Sequence, residues 1–162
     1  MASFATNLTR GEEIMIQCTQ QELEERFTFI IKNITEGNEN RLNALLCPEP
    51  FSWDAEKSTA KIRFKGKEWE KNQRGELHGG AIASMFDTAM GMSVLAFSGA
   101  KEVSTADLNI SYIRPFLGES YVIDVVVVHL GRKLVRTMAK AYDEQTKKCL
   151  ASATGNFVFL KI

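Results

Sequence analysis

Gly79-Gly80-Ala81-Ile82-Ala83-Ser84-Met85-Phe86-Asp87-Thr88-Ala89-Met90-Gly91-Met92-Ser93-Val94-Leu95-Ala96-Phe97-Ser98-Gly99-Ala100 is a 22-residue stretch with a single charge, Asp87. Small and apolar residues fall on all sides of the helical wheel. The stretch therefore predicts one helix wrapped in protein on every face. A carboxylate in such a helix is costly to desolvate unless it is paired or put to use. His78 precedes two glycines, whose bare backbone leaves the N–H groups of a helix start approachable. An acid inside an apolar helix and an open helix N-terminus are the parts of an acyl-transfer site. Asp87 has a plainer reading as a structural acid bonded to a neighbouring hydroxyl. The run is also long enough for a transmembrane span. Against that stand the acid near its middle, the Gly, Ser and Thr that dilute it, and a slightly negative mean hydropathy. Gly91 in mid-helix costs up to about 1 kcal/mol against Ala, which predicts close contact with backbone there.

The chain's 162 residues predict one domain with room for a real core. Hydrophobic residues at 44% and charged residues at 25% are ordinary for a soluble globular chain. Twenty basic residues balance twenty acidic ones, so no nucleic-acid surface is expected. Cys18, Cys47 and Cys149 stand apart, with no CxxC and no even framework. That pattern fits a reducing compartment. The N-terminus lacks a basic region followed by an apolar core, so no secretory signal is expected. The expected location is the cytoplasm, with no membrane partner.

Outward from the central helix, both flanks are patterned. Thr19-Gln20-Gln21-Glu22 has capping-box spacing, and Leu23, Phe27, Ile30, Ile31 and Ile34 recur at helical spacing. Gly37 and Asn38 close that helix. Leu42, Leu45 and Leu46 predict a short second helix stopped by Pro48 and Pro50. Phe51 to Phe64 predicts a hairpin around Ala55-Glu56-Lys57-Ser58, and a polar loop from Lys65 to Leu77 follows. Beyond the central helix, strands are predicted over Val103–Ile113, Tyr121–Leu130, Leu134–Tyr142 and Cys149–Leu160. Their short links favour antiparallel neighbours. Val125 to Val128 is apolar on both faces, which predicts a central strand or one at a subunit contact. The expected fold class is α+β, a curved antiparallel sheet wrapped around one helix.

Several site types are absent. Two histidines, His78 and His129, and no ligand-spaced cysteines make no zinc pattern, so no metal is expected. GxGxxG and GxxxxGK[ST] do not occur, and no cofactor is expected. Gly91-Met92-Ser93 lacks the second glycine of a GxSxG elbow and sits mid-helix, so Ser93 reads as helix packing. His129 reads as a strand residue at a sheet edge.

Asn72, His78, Gly79 and Asp87 remain. Asn72-Gln73-Arg74-Gly75-Glu76-Leu77-His78-Gly79-Gly80 is followed by Asp87 nine residues after the histidine. Downstream lie Thr105-Ala106-Asp107-Leu108-Asn109-Ile110-Ser111-Tyr112-Ile113-Arg114-Pro115 and the turn Gly131-Arg132. In this order the motifs resemble the hotdog-fold acyl-CoA thioesterases of the phenylacetyl-CoA type, from about Phe51 to Phe159. The resemblance implies a hotdog domain over residues 47–162. Residues 1–46 are then an N-terminal helical extension packed on it.

The resemblance also implies roles. The Gly79 N–H polarises the thioester carbonyl, which suits a helix N-terminus facing developing negative charge. Asn72 and His78 shape that site and hold the carbonyl or the water. Asp87 is the general base that activates water, or the nucleophile. Thr105 stands where a hydroxyl orients the water, although Thr is also a good strand residue. Arg114, Arg132 and Lys133 meet the coenzyme A phosphates or end strands in solvent. Met85, Phe86, Met90, Met92 and Phe97 are candidates for lining the acyl pocket.

Geometry adds an expectation of its own. Gly79 and Asp87 are eight residues apart, roughly 12 Å along a helix. One thioester carbon must lie about 3 Å from both the activating donor and the attacking oxygen. Two antiparallel helices from two subunits meet that demand, so a C₂ homodimer with two interfacial sites is expected. The resemblance implies the same, with pairing of dimers into tetramers. Two other readings stay open: a hotdog hydratase or dehydratase acting on acyl thioesters, and a non-catalytic acyl-CoA binding module.

Overall fold

The structure is a computed structural model describing residues 18–160. Residues 1–17 of the expected extension, and residues 161 and 162, lie outside the described residues. Helix α1 spans Gln20–Thr35 and begins as its capping box dictates. Thr19 Oγ1 accepts from the Glu22 N–H at 3.1 Å, and the Thr19 N–H donates to the Glu22 carboxylate at 2.7 Å. Leu23, Phe27 and Ile30 form its buried face. Helix α2, Leu42–Leu46, ends at Cys47, whose φ of 53° is left-handed. The hairpin follows as β1 (Glu49–Asp54) and β2 (Thr59–Lys65). A polar loop then leads to the central helix α3, Gly79–Ser98.

Four strands complete the chain: β3 (Val103–Tyr112), β4 (Ser120–Leu130), β5 (Leu134–Asp143) and β6 (Cys149–Phe159). All pairings are antiparallel, in the order β1-β2-β4-β5-β6-β3. The β4–β5 and β5–β6 links join neighbours, as their length predicts. The β3–β4 link does not, which corrects the expectation drawn from its shortness. β3 pairs with β6 and forms an edge, three strand positions from β4. Three steps of about 4.8 Å make roughly 14 Å, and the seven residues from Ile113 to Glu119 reach over 20 Å when extended. That link buries Phe116 and accepts the Leu77 N–H on the Phe116 carbonyl, 3.1 Å away, just before α3 begins.

The core lies between α3 and one face of the sheet, with Phe64, Phe86, Tyr121, Ile123 and Phe157 among its fully buried members. β4 is central, between β2 and β5. Val125 and Val127 point inward, whereas Val126 and Val128 are exposed on the outer face. Helix α3 is long and apolar enough to cross a membrane by composition, yet here it fills the concave face of the sheet. Its burial is not complete on every side, contrary to the wheel. Between Met85 and Phe97 every residue is buried except Asp87, Gly91 and Leu95. These three are spaced by four, so they make one stripe along the helix. Gly91 meets no backbone either: a side chain there would lie 3.5 Å from the Phe157 ring. The glycine keeps a side chain off the Phe157 ring rather than allowing close backbone contact.

Candidate active site

The cap at the head of α3 is built from nearby sequence. His78 is the N-cap, in extended conformation, and its Nδ1 accepts the Gly80 N–H at 2.9 Å. A neutral imidazole bonded this way carries its proton on Nε2. The His78 N–H donates to the Glu70 carbonyl at 2.7 Å, which fixes the cap in place. Among the described residues the Gly79 N–H has no hydrogen-bond partner, as expected for a first-turn donor left to a ligand. Tyr112 donates to the Gly79 carbonyl at 2.9 Å. Its position in the sequence motif was plain, but nothing local marked it as a prop for Gly79.

Asn72 sits in the turn just before this point. Its Oδ1 accepts the Arg74 N–H at 2.8 Å and its side-chain amide donates to Glu76 at 3.3 Å. A bridge between Lys71 and Leu77 closes the base of that turn. Within one chain Asn72 thus organises the loop that carries His78. Behind the loop lies Glu70, 1% exposed, with its carboxyl pushed above the usual range by burial. Tyr121 is buried nearby. Desolvation, helped by the charges of Asp143 and Glu70, lifts its phenol to about 12. The head of α3 therefore rests on a desolvated polar floor.

The middle of α3 is assembled from distant sequence. Thr105 Oγ1 donates to Asp87 Oδ1 at 2.6 Å, a short bond of the kind a charged acceptor makes. Register slips at Ala106 in the β3–β6 ladder, where Thr105 pairs with Phe157 and Asp107 with Asn156. Such a bulge re-aims a strand side chain, here beside Asp87. Next to Asp87, the buried Thr88 hydroxyl donates to Asn43 Oδ1 at 3.0 Å. Asp87 and Thr105 share a groove of about 940 Å³ with Met92 and Leu95 of α3 and the flank of α1 that carries Arg26, Phe29, Ile30 and Ile34. Of the five residues expected to line an acyl pocket, only Met92, itself 3% exposed, borders this groove. Met85, Phe86, Met90 and Phe97 pack into the core instead, because they face the sheet.

The basic residues divide between two ends of the molecule. Arg114 follows β3, donates to the Cys149 carbonyl at 2.7 Å and stays exposed. Arg132 and Lys133 are exposed in the β4–β5 turn, next to Phe159, which pairs with the first residue of β3. The ten residues of β3, at about 3.3 Å each, separate them. One chain thus brings Asp87 to Thr105 and gathers Asn72, His78 and Gly79 with Tyr112. It does not bring the two groups, or the three basic residues, together.

Comparison with known proteins speaks to the family and the fold. The profile of the thioesterase superfamily matches residues 74–150. A Saccharolobus solfataricus protein named as an esterase is 30% identical over 103 residues, which cover 64% of this chain and 68% of that protein. The chain belongs to the thioesterase superfamily. Human acyl-coenzyme A thioesterase 13 is 33% identical to this superfamily member over 89 residues, 54% of this chain and 64% of the human protein. The chain thus spans just under two thirds of that relative. Among solved structures, the Escherichia coli PaaI protein from the phenylacetic acid degradation operon matches with a TM-score of 0.72 at 16% identity. The match covers 87% of this chain and 95% of that one. At that identity the match speaks for the fold, which is the hotdog fold.

Proposed function

We propose that this protein hydrolyses acyl-CoA thioesters to the free acid and CoA, at sites completed between two copies of the chain. One observation carries the reading. A half-buried carboxylate, held at 2.6 Å by Thr105, lies in a groove on the same helix that opens with a free N–H at Gly79. In the reaction, Asp87 takes a proton from water as the oxygen attacks the thioester carbon. The Gly79 N–H and the positive end of α3 receive the developing oxyanion. The tetrahedral intermediate collapses, the C–S bond breaks, and the thiolate recovers its proton from Asp87. Direct attack by Asp87 would give an anhydride that water then opens to the same products.

The need for two copies follows from distance. Gly79 and Asp87 lie eight residues apart on one continuous helix, roughly 12 Å, and one carbonyl cannot touch both. β3 is a ten-residue, mostly exposed edge strand, an open template for pairing. A two-fold between Leu108 and Asn109 would set Thr105 of one copy opposite Tyr112 of the other. It would also bring Arg114 of one copy toward Arg132 and Lys133 of the other, where CoA phosphates would find both. On this reading residues 1–46 are an extension on a thioesterase domain spanning 47–162. Three free cysteines and balanced charge support a cytoplasmic setting.

The test is thiol release from a panel of acyl-CoAs, with Asp87→Asn as control. Free CoA at a rate that Asp87→Asn abolishes supports the reading. A hydrated thioester as product would assign a hydratase. Binding without turnover would assign a binding module.

A further inference from the structure

We infer that helix α1 is the selectivity wall of the acyl site, and that the groove it closes takes an apolar acyl chain several carbons long. The inference rests on the reading of the protein as an acyl-CoA thioesterase, and it adds the element that chooses the acyl group.

The groove containing Asp87 and Thr105 has two long sides. One is the open stripe of α3, Asp87, Gly91 and Leu95. The other is α1, through Phe29, Ile30 and Ile34, with Glu25, Arg26 and Asn33 beside them. Its volume of about 940 Å³ is within the usual range for a small-molecule site. From Asp87 to Leu95 it runs roughly 12 Å along α3, an elongated shape that suits a chain. Phe29 is 65% exposed although it lines this groove, so among the described residues a large ring stands uncovered beside it. Gly91 leaves the floor clear. Helical Gly is about 1 kcal/mol worse than Ala, and here no backbone approach explains it; a side chain would narrow the groove four residues from the carboxylate.

The wall is held in register with the catalytic helix. Arg26 donates to the Ala96 carbonyl at 2.8 Å, satisfying a free carbonyl in the last turn of α3. The Asn43–Thr88 bond ties the end of the extension beside Asp87. The two ties occur in opposite chain order, so the extension runs back along α3 from its C-terminal end toward the carboxylate. An acyl chain leaving the thioester at Asp87 would travel along this wall.

The experiment compares kcat/KM for octanoyl-CoA and acetyl-CoA in the full chain. Phe29→Ala, at an exposed position, should lower the octanoyl-to-acetyl ratio by about tenfold, the scale of lost apolar contact in a pocket. Asn33→Leu, also on the groove side of α1, adds apolar wall and should raise the ratio. A purely structural role would move both substrates alike and leave the ratio fixed. An unchanged ratio in both variants overturns the wall while the thioesterase reading stands. If Phe29→Ala changes the oligomeric mass but not the ratio, the ring serves contact between copies and the proposal falls. A wild-type chain that releases thiol from no acyl-CoA removes the thioesterase reading, and the wall with it.

Discussion

The head of α3 and its middle carry the two halves of the proposed chemistry, and they are built differently. At the head, the contacts that make the cap are short in sequence: His78 caps Gly80 two residues on, and Asn72 reaches Glu76 four residues on, with Tyr112 added to the Gly79 carbonyl from 33 residues away. At the middle, Asp87 is held from 18 residues away by Thr105, Thr88 from 45 by Asn43, and the end of the helix from 70 by Arg26. Backbone donors at a helix start need only a cap and two small residues. A carboxylate in an apolar helix needs partners that the fold must deliver. The head can therefore be written as a motif, whereas the middle exists only once the sheet and α1 have closed around it.

The sharpest way to break this contrast is to remove one side at a time. Asp87→Asn keeps the shape and should lower turnover by about 10² or more, the usual loss of a general base, with circular dichroism unchanged. A near-wild-type rate would make the carboxylate structural. Gly79→Pro removes the N–H and puts the proline ring in its place, with its Cβ at an ordinary 3.6 Å from Tyr112. Pro is tolerated at the first helical position, and His78 already has the extended backbone that Pro demands of its predecessor. Its kcat should fall by about 10²–10³, as for a lost oxyanion donor. Gly79→Ala restores the N–H and places its Cβ at an ordinary 3.6 Å from Tyr112, so it should stay active. Equal loss in both variants would shift the effect from the donor to packing.

Mixing the two defects asks whether head and middle of one site come from different copies. Co-expressed Asp87→Ala and Gly79→Pro chains form mixed dimers in about half of cases, each with one intact site. Activity should recover to about a quarter of wild type under C₂ geometry. No recovery, with mixed dimers verified by mass, would confine the site to one chain. Thr105→Val keeps the strand and its volume but removes the hydroxyl from Asp87. A hydrogen bond to a charged group is worth about 1.5–3 kcal/mol, so kcat should drop about tenfold or more. An unaltered kcat would reduce Thr105 to a strand residue. The smallest effect belongs to the extension: Arg26→Ala should cost about 1–2 kcal/mol of stability through the lost bond to the end of α3, read as a lower midpoint in urea. An unshifted midpoint would detach α1 from the stability of the central helix.

The sequence by itself determined the elements and the head of the site. Helical period, the Thr19 box, the alternating strands and the His78-Gly79-Gly80 cap act within a few residues, so they remain legible before any folding is considered. It also singled out Asp87, because one charge among apolar residues stands out without a structure. The tertiary structure alone decided where β3 goes. A seven-residue link is compatible both with a neighbouring strand and with a crossing to the far edge, and the choice depends on how the sheet curls around α3. It alone decided which methionines and phenylalanines meet the groove, since all of them share one helix and only the sheet determines which face is buried. The same holds for α1 against the Asp87 stripe: amphipathic spacing says that a helix will bury a face, while the surface it meets depends on contacts dozens of residues apart.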